Sequence, residues 1–387
     1  MRVGWVVDGP LEQLSGGYLY DRLVVDHLRR SGAEVLVISL PMGSYAFRLA
    51  SGLQLDLVPR LSAFGPDVVV QDELSHPGLV RANRRLKTSR PDLPLVGLVH
   101  HLRSSEPRRA LANVFYRWVE RRYLTTLDAF IFNSRATRAA VERLGRHAAT
   151  SVIAVPGADR LGASIEPEPI RARGRSAGPL RVLFLGNLIA RKGLMTLIDA
   201  LGLLRRDSVA LTVVGSAEVD PGHARRLRRR VETLRLGGAV RFAGALDGPA
   251  LMEELRAAQL LAVPSAYEGY GMAYLEGMGC GLPAIAGRDG GAAEFVRHGE
   301  NGLLVDASDP AALAVHLAAL HADRTRLIRM ALAAHEAYLS HPTWEQTGAA
   351  VLHFLSGLAR ANPAPDPRED GARAAARPGP VLSSADW

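Results

Sequence analysis

PSAYEGYGMAYLEGMGCGLP, residues 264–283, holds the end of one apolar run, a glycine-rich loop and the start of a helix. The run that leads into it, LLAVPS (260–265), and the run that closes it, LPAIAG (282–287), are short and bounded by turn residues. Runs of this kind, alternating with helical stretches, mark parallel strands buried on both faces. The same texture extends upstream through LRVLFLGN (180–187), VALTVVGS (209–216) and AVRFAGAL (239–246). A second set fills the first half: VGWVV (3–7), EVLVISL (34–40), DVVVQ (67–71), PLVGLVH (94–100) and AFIFNS (129–134). Between the strands of that half, residues 109–124 put Leu111, Val114, Phe115, Trp118 and Val119 on one side of an amphipathic helix.

The two arrays are separated by residues 159–179, which lack a period and are rich in Pro, Gly and Arg. The expected organisation is an α/β chain of two Rossmann-like parallel-sheet domains. The first spans 1–160, a linker 161–179, and the second 180–343. A last helix at 344–360 and a disordered, Pro-rich tail at 361–387 complete it. Ligands bind outside the carboxyl ends of parallel strands, and two facing domains enclose a cleft, so the site is expected between them.

Composition narrows the function classes. The chain has 387 residues, enough for two cores. Its one cysteine, Cys280, lies among small residues and reads as a packed side chain. There is no stretch of about 20 apolar residues to span a membrane. The N-terminal MRVGWVVDG reads as a strand, so the expected location is cytoplasmic. The net charge of +8 is carried by Arg, because Lys occurs only at Lys87 and Lys192. Basic clusters at 81–90, 108–122 and 225–230 read first as solvated helix faces. The second reading is peripheral association with an anionic membrane surface or a lipid-linked acceptor. No aromatic stacking pattern accompanies them, and no nucleic-acid partner is expected. There is no Asp-x-Asp pair and no Cys/His cluster, so no metal is expected. No G-x-G-x-x-G follows the first strand, which argues against a dehydrogenase.

Four segments carry candidate chemistry. In the first, Glu268 sits in the loop and Glu276 about one turn into the helix, eight positions later. The free N–H groups of that helix start, around Gly269, Tyr270 and Gly271, suit a diphosphate. A carboxylate further along can accept hydrogen bonds from a vicinal diol. Two surface carboxylates flanking a helix start would look the same. In FLGNLIARKGLMTLIDAL (184–201), Arg191 and Lys192 lie at the turn into a helix, where cations can offset charge on a leaving group. Arg191 reads equally as one more surface Arg. Gly16 and Gly17 precede a helix after the first strand, a weak phosphate-loop signal or an ordinary turn. His100 and His101 follow the strand PLVGLV and suit sugar orientation, proton movement or simple packing.

Together these segments resemble the GT4 family of retaining glycosyltransferases, which have the GT-B fold. Residues 264–283 resemble its E-x7-E motif, and 184–201 its G-R-x-x-x-x-K-G loop. In the second, Asn187 stands where Arg is frequent and Arg191 where acidic residues are frequent. The resemblance implies that Glu276 binds the nucleotide ribose and that Glu268 lies beside the donor sugar. It implies that Arg191 and Lys192 stabilise the leaving diphosphate and that Gly16 and Gly17 face the donor across the cleft. His100 then contacts the donor sugar, with His101 as its understudy. Gly215 and the span 242–246, Ala245 included, flank the nucleobase. Asn133 and Ser134 lie near the cleft, and Glu294 supports the donor loop. VPGAD (155–159) resembles the family's hinge, with Asp159 a structural cap. The helix at Trp344 is expected to return to the first domain.

The implied reaction moves a hexosyl unit from a nucleotide-diphosphate sugar, UDP-hexose first and GDP-mannose second, with retention at the anomeric carbon. No resident cofactor and no metal are implied. The acceptor is a hydroxyl on a cell-envelope glycan, a lipid or a small metabolite. Three alternatives stand beside it: an epimerase or phosphorylase of the same fold, a catalytically silent sugar-nucleotide-binding subunit, and an Arg-driven nucleic-acid binder.

Overall fold

The computed structural model describes residues 1–361 except 14, 52–56, 107, 109, 163 and 164. The tail expected at 361–387 therefore lies, beyond its first residue, outside the described residues. The first half contains β1 (Arg2–Asp8), α1 (Gly16–Arg30), β2 (Glu34–Leu40), α2 (Tyr45–Ser51), α3 (Leu57–Phe64) and β3 (Val68–Asp72). It continues with α4 (His76–Ser89), β4 (Leu95–Val99), α5 (Ala110–Leu124), β5 (Ala129–Phe132), α6 (Arg135–Arg143) and β6 (Ser151–Ile153). Its strands form one parallel sheet in the order β2-β1-β3-β4-β5-β6. β3, β4 and β5 are buried along their whole length, because helices cover both faces of the sheet.

The second half opens with α7 (Pro167–Arg175), β7 (Leu180–Leu185), α8 (Leu194–Gly202), β8 (Val209–Val214), α9 (Pro221–Thr233) and β9 (Val240–Gly244). α10 (Gly248–Ala257), β10 (Leu260–Val263), α11 (Met272–Gly279), β11 (Ala284–Gly287) and β12 (Gly302–Val305) follow. α12 (Pro310–Ala322), α13 (Arg324–Leu339) and α14 (Trp344–Ala361) end the described chain. The second sheet is also parallel, in the order β12-β11-β10-β7-β8-β9. Cys280 is buried within the core of this half.

Two differences from the sequence reading have physical causes. The stretch expected to be a linker contains α7, which starts with two prolines in its first turn, buries Ile170 and packs on α13. Its helical period is too short to show in sequence. α5 forms where expected, but Leu111, Val114, Phe115 and Trp118 face solvent. The buried side consists of Val119, Glu120, Tyr123 and Leu124. α14 returns to the first half, where Val351 and Leu355 join the core beneath β1 and α1. Its entry is fixed by Asp159, whose carboxylate accepts the Trp344 N–H at 2.8 Å. Among the described residues no helix is long and apolar enough to cross a membrane.

Candidate functional site

The carboxyl ends of the two sheets face each other across one cavity. From the first half it is lined by the first turn of α1 (Gly16, Gly17), the end of β4 (His100, His101) and the end of β5 (Asn133). From the second come the β7–α8 turn (Asn187, Arg191, Lys192), the ends of β8 and β9 (Gly215, Ala245) and the β10–α11 loop (Glu268, Gly269, Tyr270, Gly271), with Glu276 beyond. Two candidates stand off it. Ser134 caps α6, its Oγ accepting the Thr137 N–H at 3.0 Å. Glu294 reaches across to the first half and accepts the Ala136 N–H at 2.8 Å.

Backbone geometry brings the walls together. Gly271 adopts φ +103 at the N-cap of α11, a left-handed conformation that glycine accommodates without strain. A Cβ on Gly269 would lie 2.0 Å from the His100 carbonyl oxygen, so only glycine lets this loop meet the opposite domain. Asn133 Nδ2 donates to the same oxygen at 3.0 Å.

On the second domain's side, Glu268 is the centre of a charge cluster. Its Oε1 accepts from Lys192 Nζ at 2.7 Å and from Ser265 Oγ at 2.5 Å, and its Oε2 lies 3.4 Å from Arg191 Nη1. Burial alone would raise its pKa, but Lys192 and Arg191 outweigh it and hold the carboxyl at about 2. Burial, with Arg191 nearby, lowers Lys192 from the usual ammonium value. Arg191 is aimed by a bond to the Tyr267 carbonyl at 2.6 Å and approaches Glu106 at 3.7 Å. Glu106 also faces His101 Nε2 at 3.1 Å. Burial works against ionising Glu106, yet His101, Arg191 and Arg108 bring it down to about 2.

Glu276 meets a partner that the sequence reading missed. Arg160 donates from Nε to its Oε1 at 2.8 Å and from Nη1 to Asp247 at 3.1 Å. Burial nevertheless raises Glu276 above the usual carboxyl value, with Arg160 offsetting part of it. The signal available was Arg160's position directly after the VPGAD hinge.

On the first domain's side, His100 is buried and its Nε2 lies 3.5 Å from Asp21 Oδ1 on α1. Burial would lower its pKa, but Asp21 beside it and the charges of Asp72 and Glu73 raise it. Asp21 and Asp72 are themselves raised by burial. Asp21 lies one helical turn after Gly17, a spacing that puts both over His100. A buried Asp on an α1 core face was the overlooked sign. Among the described residues, Asp21, Asp72 and His100, and separately Glu73, His76 and Glu120, place ligand-type atoms within 4.8 Å of one another. The reading of no metal did not anticipate either group.

The arrangement therefore combines fixed cations and a helix N-terminus on one wall with a buried histidine on the other. It can hold an anion between domains, bear charge that develops on it, and keep water out.

Comparison with known proteins adds the following. The family described as Glycosyl transferases group 1 matches residues 167–336, and Glycosyltransferase Family 4 matches residues 23–159. A GDP-mannose-dependent alpha-(1-6)-phosphatidylinositol monomannoside mannosyltransferase of Mycobacterium tuberculosis is 31% identical over 255 residues, 62% of this chain. The match spans 65% of that relative's length, less than two thirds. A glycogen synthase of the same organism is 26% identical over 344 residues, covering 87% of this chain and 79% of its own. Among solved structures, sucrose-phosphate synthase from Thermosynechococcus elongatus superposes with a TM-score of 0.80 at 21% identity, covering 93% and 99% of the two chains. HepE from Anabaena, in complex with UDP and glucose, gives 0.73 at 22% identity, with 92% and 99% covered. These likenesses establish the GT-B fold.

Proposed function

Since this chain belongs to the family of group 1 and family 4 glycosyltransferases, we propose that it transfers a hexosyl unit from a nucleotide-diphosphate sugar to a hydroxyl acceptor, with retention. The observation that carries this reading is the meeting of Glu268, Lys192 and Arg191 with His100 and the α1 loop on one interdomain cavity. The diphosphate lies between the N-terminus of α11 and the two cations. The nucleoside end lies toward Gly215 and Ala245, with its ribose diol at Glu276. Arg160 must then share Glu276 with the ribose or withdraw from it.

Glu268, held at about 2, is ionised at neutral pH and is no general acid. It accepts hydrogen bonds from sugar hydroxyls and faces the positive charge that grows at the anomeric carbon. The acceptor oxygen attacks the face from which the diphosphate departs. Its bond to the anomeric carbon forms as the bond to the phosphate oxygen breaks, and its proton passes to that leaving oxygen. Lys192, Arg191 and the α11 amides bear the charge left on the diphosphate. Closure of the cleft limits loss of donor to water. No metal takes part in this scheme.

UDP-hexose is the first donor to test. GDP-mannose stands beside it, because the mannosyltransferase relatives are named for that donor. The acceptor belongs to a cell-envelope glycan, a lipid or a small metabolite, and the protein works at the anionic inner face of a membrane. The test supplies the purified protein with each donor and candidate acceptors, with and without EDTA, and reads nucleoside-diphosphate release and the anomeric configuration of the product. A retained product, lost in Glu268→Gln and indifferent to EDTA, supports the scheme. An inverted product, or turnover of donor to an isomer without acceptor, overturns it.

A further inference from the structure

Six of the ten large apolar side chains that stand exposed among the described residues fall on two adjoining segments of the first domain. On α5 they are Leu111 (86% exposed), Val114 (62%), Phe115 (46%) and Trp118 (54%). Met42 and Phe47, before and within α2, are the other two. The segments are joined by Tyr45, whose ring meets Tyr116 at 4.8 Å and Phe115 at 6.1 Å. Phe115 stacks on Trp118 at 6.4 Å, so the outer stripe of α5 is continuous. Scattered apolar residues on a surface need no explanation, but a contiguous stripe on one helix does.

Arginines surround this stripe. Arg117, Arg121 and Arg122 are exposed on α5, and the Arg122 guanidinium lies 4.8 Å from the Trp118 ring. Arg81, Arg84 and Arg85 are exposed on the neighbouring α4. α4 has no carboxylate, and the only one on α5, Glu120, is buried. The stripe also adjoins the cleft. Arg108, just before α5, bonds Glu106, which faces Arg191 in the cavity. Arg48 of α2 pairs with Asp8 at the end of β1.

We infer that the outer face of α5, with the Met42–Phe47 segment, seats the protein on an anionic lipid surface, apolar side chains among the acyl chains and arginines at the headgroups. A helix with an apolar stripe flanked by arginine lies in the interface plane in this way. A second copy is a poor occupant, because a two-fold contact would press these arginines against each other. Nucleic acid is a poor occupant too, because Leu111 and Val114 gain nothing from phosphates. The seat turns the cleft mouth toward the lipid headgroups, where an acceptor hydroxyl carried on a lipid would be presented. The inference deepens the membrane reading above, and its test does not depend on sugar transfer.

The experiment is co-sedimentation of the full chain with phosphatidylcholine vesicles, with and without phosphatidylglycerol. It compares wild type with Leu111→Ser/Trp118→Ser and with Arg117→Glu/Arg121→Glu. Wild type should partition to the phosphatidylglycerol vesicles, more weakly at high salt, and each double variant should bind at least about tenfold less. Because these side chains are exposed, both variants should keep the wild-type melting temperature and its shift with nucleotide sugars. Loss of vesicle binding with that shift intact supports the lipid seat. Wild type that ignores phosphatidylglycerol, or variants that bind as well as wild type, overturns it. So does a concentration-dependent dimer that the apolar variant abolishes, which would give the face to a second copy. Absence of the nucleotide-sugar shift in protein that still binds vesicles would count against the transferase reading instead.

Discussion

Glu268, beside Lys192, and the carboxylates at the strand ends of the first domain are buried alike and shifted in opposite directions. Glu268 is 7% exposed and Asp8 6%, yet Glu268 is driven down to about 2 while Asp8 stays raised by burial. Glu268 meets two cations, Lys192 and Arg191; Asp8 meets Arg48 with burial still ahead. Asp21, Asp72 and Glu120 are raised by burial as well. Burial sets the cost of ionisation, and the number of opposed cations decides whether it is met. The second domain's wall is therefore a set of fixed charges. Behind the first domain's wall, burial raises the carboxylates instead.

Removing a fixed charge should have the largest effect. Lys192→Ala should lower kcat by about 10²–10³, the range for losing one preorganised charge from a transition state. Steady-state turnover of donor would measure it. A loss of less than about tenfold would mean that Arg191 alone carries the leaving-group charge.

Glu120 makes its own prediction, on stability. Burial, with Glu73 alongside, lifts Glu120 from 4.5 to about 7. A raised folded value contributes stability that is complete below 4.5 and lost as pH rises through about 7. Glu120→Gln should remove this dependence and leave the protein more stable than wild type at pH 8, by up to about 3 kcal/mol. Urea midpoints at pH 5 and pH 8 would show it, and equal slopes for the two proteins would refute it.

Much of this contrast was legible in the sequence on one side only. The second domain's site is made of short loops at strand ends, so Glu268, Glu276, Arg191 and Lys192 could be singled out within two segments, though only the family resemblance suggested their roles. The first domain's site joins Asp21, Asp72 and His100 from a helix and two strand ends, a meeting that only the sheet order β1-β3-β4 creates. Arg160 escaped for the same reason, since its partners Glu276 and Asp247 are 116 and 87 residues away. The ten strands read from sequence all form. β6, only three residues long, left too little pattern to read, and β12 was not singled out. The periodicity of α5 was right, yet it could not tell a face turned to the core from one turned to solvent.

Smaller effects sharpen the comparison. Asp21→Asn should leave the fold intact and remove the charge that raises His100. The histidine limb of the kcat/KM profile should then move to lower pH, with a loss of about tenfold. An unmoved limb with the same loss would make Asp21 merely structural. The smallest change is Ser134→Ala, which removes the α6 cap and should cost about 1 kcal/mol in urea unfolding. Nucleotide affinity should not change, because Ser134 lies off the cavity.

The central claim, a nucleotide-sugar site between the domains, is tested most directly by thermal stabilisation. Wild type and Glu276→Ala would be titrated with UDP-hexoses, GDP-mannose and the free nucleotides. The account predicts that one nucleotide-diphosphate sugar raises the melting temperature of wild type, increasingly with the logarithm of its concentration, and that Glu276→Ala loses most of the shift. If no nucleotide or nucleotide sugar stabilises the folded wild type, or if the variant responds as fully as wild type, the donor site is not where it has been placed.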